Sequence, residues 1–277
     1  MISRALAPLI FGIVNITEDS FSDGGRYLAP DAAIAHARAL ASDGADVVDL
    51  GAASSNPDAR PVAPEVEIGR LAPVVDALKR EGVAISIDSF APEVQRWAIA
   101  QNVEYLNDVR GFADADIYPA LAEASAQLVV MHSVAQRGPA ARVRVPAESL
   151  MDRVLTFFED RIASLIAAGV ERSRLVLDPG MGLFLGTDSD ASFTVLRAIP
   201  ELKRAFGLPV LISVSRKSFL RRLIGRPPLE AGPASLAAEV FAVLRGADYI
   251  RTHEPAPLKD ALAVWRALEP ETERNLA

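Results

Sequence analysis

The sequence predicts one α/β domain over residues 1–277, a single closed (β/α)8 barrel of the TIM type. Short apolar runs of strand length alternate with longer segments of helical pattern, and eight such pairs follow one another along the chain. No linker, low-complexity segment or shift in composition interrupts the series. The alternation implies a parallel sheet, and eight units in about 250 residues suit a barrel. The alternative is a doubly wound open sheet, but the glycine fingerprint that often follows the first strand of such a sheet is absent here.

Each predicted strand is a short apolar run bounded by polar or turn-forming residues. In chain order the strands are Leu9–Val14, Asp46–Leu50, Ala84–Asp88, Tyr105–Asp108, Leu128–Met131, Leu175–Asp178, Pro209–Ser213 and Asp248–Arg251. Asp31 is expected to cap the first helix, which runs to about Ser42. Further helices are expected near Pro64–Arg80, Pro92–Gln101, Ile117–Ala124 and Ser149–Ala168, with one helix after each of the last three strands. Polar loops connect them, the longest at 15–25, 51–61 and 137–146.

Composition excludes several classes of function. A net charge of −7 and a pI near 5.1 argue against nucleic acid as the main partner. The chain has no cysteine, so disulfides and thiol chemistry are excluded, and three histidines argue against a zinc site. The apolar run 5–14 is too short to span a bilayer and leads into a polar loop, so it is interpreted as a strand and not as a signal peptide. We expect a cytoplasmic protein with no membrane partner.

Polar residues stand at the carboxyl end of almost every predicted strand, where barrels of this class build their sites. A lone strand-end Asp or Asn is more often a helix cap or turn former, but a nearly complete set at one rim is harder to explain in that way. The set comprises Asn15, Asp49, Asp88, Asn107, Asp108, His132, Asp178, Ser215, Arg216, Lys217, Ser218, Arg251, Thr252 and His253.

One group within this set suits an anion. Barrel closure brings the eighth strand beside the first, so Asn15, Arg251 and His253 are expected to be neighbours. An amide, a guanidinium and an imidazole at a barrel mouth suit a phosphate, or a diphosphate with a bound divalent ion. The alternative for Arg251 is an ion pair with a carboxylate at the rim.

A second group suits a flat heterocycle. Asp88, Asn107 and Asp178 offer acceptors and one amide donor, which match a ring with amino and keto groups. Lys217 follows the seventh strand at the same rim and is a candidate donor to the keto oxygen. Plainer interpretations stay open: Asp178 as a helix cap and Lys217 as a solvated surface charge. His132 follows a methionine at a strand end, and a single histidine in such a position is as often a packed residue as a reactive one.

Six motifs resemble dihydropteroate synthase, in the order of that family and over nearly the whole chain. They are Phe11–Gly25, Ile87–Ser89, Leu106–Asp108, Leu177–Gly180, Ser215–Ser218 and Arg251–His253. The resemblance implies an enzyme of folate biosynthesis that joins a pterin diphosphate to para-aminobenzoate and releases diphosphate. It implies that Asp88, Asn107, Asp178 and Lys217 hold the pterin, and that Asn15, Arg251 and His253 hold the diphosphate. Asn15 would also contact Mg²⁺, and Ser218 would meet the aminobenzoate carboxylate. We expect a homodimer.

Two loops depart from the family pattern and resemble its sulfonamide-insensitive branch. The loop after the second strand reads Ser54-Ser-Asn-Pro57, so Ser55 keeps a hydroxyl while Asn56 replaces the usual arginine. The loop after the sixth strand, Gly180–Gly186, is about two residues longer than usual. Its glycines permit turns that could aim Phe184 at the arylamine pocket, where this residue would exclude a sulfonamide by size. The alternative is that Phe184 belongs to the ordinary core.

Two other functions fit part of the pattern. A pterin-binding methyltransferase on the same barrel would share Asp88, Asn107 and Asp178 but has no need of a diphosphate site. A pterin-binding barrel without turnover would share the whole site, and Asn56 gives that alternative some support. A diphosphate-release assay separates the last from the synthase.

Overall fold

A computed structural model describes residues 7–17, 28–135, 140 and 142–268. Eight strands lie within these ranges: β1 Leu9–Asn15, β2 Val47–Gly51, β3 Ile85–Asp88, β4 Tyr105–Asp108, β5 Gln127–Met131, β6 Leu175–Asp178, β7 Leu211–Ile212 and β8 Tyr249–Thr252. The helices are α1 Pro30–Ser42, α2 Pro64–Arg80, α3 Pro92–Ala100, α4 Tyr118–Glu123, α5 Leu150–Ala167, α6 Ser189–Phe206, α7 Ser218–Ile224, α8 Gly232–Leu244 and α9 Pro255–Leu268. Parts of two predicted loops, 18–25 and most of 137–141, lie outside the described residues.

The strands form one parallel sheet in the order β6-β5-β4-β3-β2-β1-β8-β7. Strand β1 pairs with both β2 and β8, as the barrel prediction requires. The remaining gap, between β6 and β7, is closed by a bridge between Leu177 and Val210. There the Leu177 amide donates to the Pro209 carbonyl at 2.8 Å. The (β/α)8 prediction is confirmed.

Several strand boundaries differ from the prediction by one residue, and three larger predictions were wrong. Helix α1 begins at Pro30 after Ala29, so Asp31 lies in its first turn and caps nothing. Strand β7 covers Leu211–Ile212 and not Pro209–Ser213, since a proline has no N–H to donate to a sheet. Two helices, α7 and α8, connect β7 to β8 where one was predicted. Helix α7 stops at Gly225, which has a left-handed φ of 67°, and a short turn from Pro228 to Glu230 separates it from α8.

An apolar plug fills the lower part of the barrel. Phe11, Tyr105 and Tyr249 meet edge to face there, with ring centroids 4.9 to 6.2 Å apart. Smaller side chains from the other strands complete the layer: Val47, Ala84, Val129, Val176 and Leu211. The larger apolar core lies between the sheet and the surrounding helices. The plug therefore separates the lower rim of the barrel from the pocket at its upper end.

Acidic residues at the bottom rim join neighbouring strands. Asp46, Glu104 and Asp248 each accept the backbone amide of an adjacent strand, those of Ile10, Ile85 and Val210 respectively, at 2.8 Å. A carboxylate that accepts an otherwise unpaired N–H forms a charge-assisted hydrogen bond. These acids therefore fix strand register at the end of the barrel opposite the site.

Candidate active site

The predicted site residues occupy two layers above the apolar plug. Residues two apart on a strand face the same side, so interior layers follow one another in steps of two along each strand. Above the plug the next positions are Ile13, Asp49, Ser86, Asn107, Met131, Asp178, Ser213 and Arg251. Two positions further stand Asn15, Gly51, Asp88, Ser215 and His253, all of which line an open pocket at the barrel mouth. We call the lower of these two layers, which contains Asn107 and Asp178, the floor of the site. The upper layer, which contains Asn15 and His253, is the mouth.

Most of the predicted residues meet in this pocket. Asn15, Ser55, Asp88, Phe184, Lys217, Ser218, Arg251 and His253 all line it. Asn107 and Asp178 are not among the lining residues, because each is only 3% exposed in the layer below. The Asn107 Oδ1 atom has no hydrogen-bond partner within the described ranges. A buried acceptor without a partner is costly, so this atom is suited to a ligand that reaches the floor.

Arg251 links the two layers. Its Nε lies 2.6 Å from Asp49 Oδ2, and a terminal nitrogen lies 2.7 Å from Asp88 Oδ2. Burial alone would lower the pKa of Arg251, but Asp49 and Asp88 raise it above its ordinary value. The ion pair that the sequence left open as an alternative is therefore present. Arg251 lines the pocket and also contacts Asp88, a residue that was predicted to hold the ring. Asp49 is the residue that sequence reasoning left without a role, although it stands in the same strand-end series.

Asp178 and Lys217 are charged groups held in poorly solvated positions. Burial raises the pKa of Asp178 to about 6, although the amide of Gly180 donates to its Oδ1 at 2.8 Å. Burial lowers the pKa of Lys217 to about 8, and the neighbouring Arg251 lowers it further against the pull of Asp178. Burial likewise raises the pKa of Asp88, opposed by Arg251. Such perturbed groups in a cleft are typical of ligand sites.

His253 is neutral and oriented. Burial, then Arg216 and Arg251, lower its pKa well below the ordinary value. Its Nδ1 lies 3.0 Å from Ser215 Oγ, which also accepts the His253 backbone amide at 3.2 Å. Ser215 thus fixes the orientation of the imidazole at the pocket wall.

The loop after β6 brings Phe184 to the pocket wall. Gly180 and Gly186 have positive φ angles of 74° and 111°, and a Cβ on either would collide with a backbone oxygen, that of His132 or of Val143. The Phe184 carbonyl accepts the amide of Val134 at 2.9 Å, and its ring centroid lies 5.1 Å from Lys217 Nζ. Phe184 is 7% exposed. It is thus packed and pocket-lining at once.

In the loop after β2, Asn56 serves a local turn. Its Oδ1 accepts the Asp58 amide at 3.2 Å, and its own amide donates to Ser54 Oγ at 3.2 Å. Asp58 in turn pairs with Arg142, whose terminal nitrogen lies 2.9 Å from Asp58 Oδ1. The residue that replaces the usual arginine therefore shapes the loop that carries Ser55.

Two strand-end residues have structural roles. His132 is buried, contacts the Pro179 carbonyl at 3.2 Å through Nδ1 and packs against Phe157, and burial lowers its pKa to about 4. Asp108 accepts hydrogen bonds from the Arg110 and Phe112 amides and from Gln95, which fixes the turn after β4. His132 is therefore a packed residue and Asp108 a turn former, the roles that were left open for lone residues at strand ends.

The donor set of the pocket can be compared with the needs of a divalent metal ion. Within the described ranges no group of three or more His, Cys, Asp or Glu side chains is arranged to hold a metal. Mg²⁺ in phosphate sites commonly uses one or two protein oxygens and completes its shell with phosphate and water. The Asn15 side chain, at the pocket rim, can supply one such oxygen. The donor set thus suits Mg²⁺ bound through a diphosphate.

Comparisons with known proteins identify the family. A family model described as "Pterin binding enzyme" matches residues 11–253. Dihydropteroate synthase type-2 of Escherichia coli is 61% identical over 261 residues, which cover 94% of this chain and 96% of that protein. The Xanthomonas albilineans dihydropteroate synthase with 4-aminobenzoic acid has a TM-score of 0.85 and 35% identity, covering 96% of this chain and 95% of that one. The Yersinia pestis dihydropteroate synthase with a sulfonamide drug complex has a TM-score of 0.85 and 32% identity, covering 94% and 93%.

The barrel, its polar floor and the family model together define a pterin-binding enzyme. More narrowly, the chain belongs to the dihydropteroate synthases, transferases of folate biosynthesis. Its likeness to the type-2 protein supports the branch that its loop motifs resemble. No described helix is both long enough and apolar enough to cross a membrane.

Proposed function

We propose that this chain joins 6-hydroxymethyl-7,8-dihydropterin diphosphate to para-aminobenzoate and releases diphosphate. The observation that carries the proposal is the polar floor of the barrel, where Asn107 and Asp178 lie beneath a mouth lined by cationic side chains. The floor matches the donors of a pterin ring, and the mouth matches its diphosphate.

In the proposed complex Asp178, Asp88 and Asn107 receive the ring, and Lys217 donates to its keto oxygen. Arg251 and His253 donate to the diphosphate at the mouth, and Asn15 is the residue that would hold Mg²⁺. When bound there, the metal supplies positive charge that favours departure of the diphosphate. Arg251 pairs with both Asp49 and Asp88, so a change of charge at either end of the substrate site affects the other end.

The reaction needs no protein nucleophile. The bond between the pterin methylene carbon and the diphosphate oxygen breaks, and its electron pair leaves with the diphosphate. The lone pair of the arylamine nitrogen forms the new C–N bond, and that nitrogen then releases a proton to water. Arg251 and His253 stabilise the leaving charge, Asp178 disperses charge on the ring, and Ser218 orients the aminobenzoate carboxylate.

We also propose that the enzyme turns over in the presence of sulfonamides. Phe184 and Leu183 line the same pocket as Ser218 and Lys217. A sulfonamide carries a tetrahedral sulfonyl and often a further ring where aminobenzoate has a flat carboxylate. A rigid wall at this point can admit the second and exclude the first.

We propose a cytoplasmic homodimer as the working form. Helices α7, α8 and α9 pack in sequence and expose apolar side chains, including Leu223, Phe241, Val264 and Trp265. Where such groups form one contiguous patch, they are typical of a subunit contact. Light scattering of the purified chain checks the assembly, and a monomer mass across micromolar concentrations would contradict it.

The test of the activity is diphosphate release from the pterin diphosphate and para-aminobenzoate, with and without a sulfonamide. Release that needs both substrates supports the synthase. Pterin binding without release would instead support a barrel without turnover. Transfer of a methyl group from methyltetrahydrofolate, with no use of the diphosphate, would support the methyltransferase.

A further inference from the structure

Helix α8 turns two buried polar side chains towards the ends of β7 and β8. Ser235 and Glu239, four residues apart on one helix face, are each 2% exposed. Ser235 Oγ accepts the Arg216 amide at 2.9 Å and donates to the Ala231 carbonyl at 2.8 Å. Arg216 has a positive φ of 57°, a strained conformation for a residue with a side chain, and Ser235 holds it there.

Glu239 contacts the end of β8, as Ser235 contacts the segment after β7. The Thr252 hydroxyl hydrogen-bonds to its carboxylate, and Thr252 is 1% exposed. Thr252 Oγ1 also accepts the Glu254 amide at 3.2 Å and lies 3.5 Å from Ser215 Oγ. Ser215 in turn contacts His253 Nδ1 at 3.0 Å. A continuous series of polar contacts therefore leads from Glu239 to the imidazole at the pocket.

A simple packing role does not account for a carboxyl group at this position. The Glu239 Oε1 atom has no hydrogen-bond partner in the part of the chain that the structure describes. Burial, and then the nearby Glu254, raise the pKa of Glu239 to about 7, against the opposing effects of Thr252 and Arg216. A partly unsatisfied buried acid costs free energy, and such groups persist where they fix a site.

We propose that Glu239 is a positioning residue that holds the ends of β7 and β8 together so that Arg216 and His253 can bind the diphosphate end of the substrate. The inference rests on the proposed function, because it assigns the diphosphate to this side of the mouth. The pterin ring lies against Asp178 and Lys217, which Glu239 does not contact. Its loss should therefore affect one end of the site and leave the other largely unchanged.

The experiment measures two ligands by calorimetric titration at pH 7.5 with Mg²⁺ present: inorganic diphosphate, and a pterin without the diphosphate. Glu239→Ala should weaken diphosphate binding at least tenfold and pterin binding less than twofold. Glu239→Gln keeps an acceptor for Thr252 and should recover most of the affinity. Glu230→Gln removes an exposed carboxylate just before α8 and should bind both ligands as the native chain does.

Thr252→Val keeps the shape of the side chain but breaks the contact with Glu239, so it tests the same link if Glu239→Ala does not fold. Equal weakening of both ligands in these variants would mean a general structural role and would overturn the proposal. So would native diphosphate affinity in Thr252→Val. If instead the native chain binds neither ligand and releases no diphosphate, the proposed function itself fails, which is a different result from native activity with an inert Glu239.

Discussion

At Asp178 the requirements of stability and of ligand binding are opposed. Its folded pKa of about 6 lies above the ordinary 3.8, so the fold favours the protonated form. The stability that this preference provides is present below pH 3.8 and is lost as pH rises through about 6. At neutral pH the chain therefore carries a buried anion that a ligand with paired N–H groups can satisfy.

Replacement of Asp178 by Asn should abolish pterin binding and leave the fold intact. An amide presents an NH₂ group where the ring presents donors, so one hydrogen bond becomes a clash. We expect a loss of about 2–4 kcal/mol of binding free energy. Calorimetry with a pterin measures it, and the melting temperature at pH 7.5 should not fall. Unchanged affinity would remove Asp178 from the site.

Pterin affinity should be highest between about pH 6 and 8. Below the Asp178 pKa of about 6 the acceptor is protonated, and above the Lys217 pKa of about 8 the donor is lost. A titration series with bare pterin, which carries no titrating phosphate, measures this profile. Affinity that stays flat from pH 5 to 9 would mean that neither charge contacts the ring.

Arg251 cannot be treated as a ligand of the leaving group alone. Arg251→Lys keeps the charge but cannot form both ion pairs at 2.6 and 2.7 Å with one point charge. We expect weaker binding of the bare pterin and a larger loss for the pterin diphosphate. Arg222→Lys, on the exposed face of α7, is the control. If the bare pterin binds as before, Arg251 serves the diphosphate only, as the motifs by themselves suggested.

At the scale of elements, the loop after β6 decides the arylamine specificity that we propose. Removing Leu183 and Phe184 should restore sulfonamide inhibition, with some loss of aminobenzoate affinity. Phe184→Ala, which leaves the backbone contact to Val134 in place, should lower the inhibition constant at least tenfold. Phe241→Ala, a partly exposed residue on α8, should not. If the native enzyme is already inhibited by micromolar sulfonamide, Phe184 is ordinary core.

Sequence reasoning predicts the elements that carry strong local signals. The strand runs around Leu175–Asp178 and Tyr105–Asp108 were placed to the residue, because apolar runs between polar residues have few alternatives. The two helices after β7 were merged, since the break depends on the left-handed Gly225. Asp31 was misplaced because a proline one residue earlier is itself a favoured helix start.

Residues whose role depends on tertiary contacts could not be predicted in this way. Glu239 reads as an ordinary surface residue of a helix, and its burial follows only from the packing of α8 over β7 and β8. Asp49 stands in the right series, but its pairing with Arg251 requires the register that barrel closure sets. Asn56 was identified as a departure, while its use in a turn is visible only in the folded loop.

At the scale of the whole molecule, the barrel is one hydrogen-bonded cylinder with an uneven seam. Most neighbouring strands share a ladder of several residues, such as the five register pairs of β1 and β2. Between β6 and β7 the described contact is the bridge at Leu177 and Val210. Asp178 follows directly on one side of this seam, and Lys217 follows β7 on the other.

A pterin that contacts both Asp178 and Lys217 would therefore connect β6 and β7 at the place where the fewest hydrogen bonds join neighbouring strands. Ligand binding would then be coupled to the opening motions of the barrel wall, in addition to filling its mouth. We expect a pterin to slow hydrogen exchange of the Leu177 amide, which donates across the seam, much more than that of the Val48 amide between β2 and β3. Equal slowing at both amides would mean that the ligand stiffens the barrel as a whole. Protection confined to Leu177 would mean that Asp178 and Lys217 both bind the substrate and, through it, hold the barrel wall closed between β6 and β7.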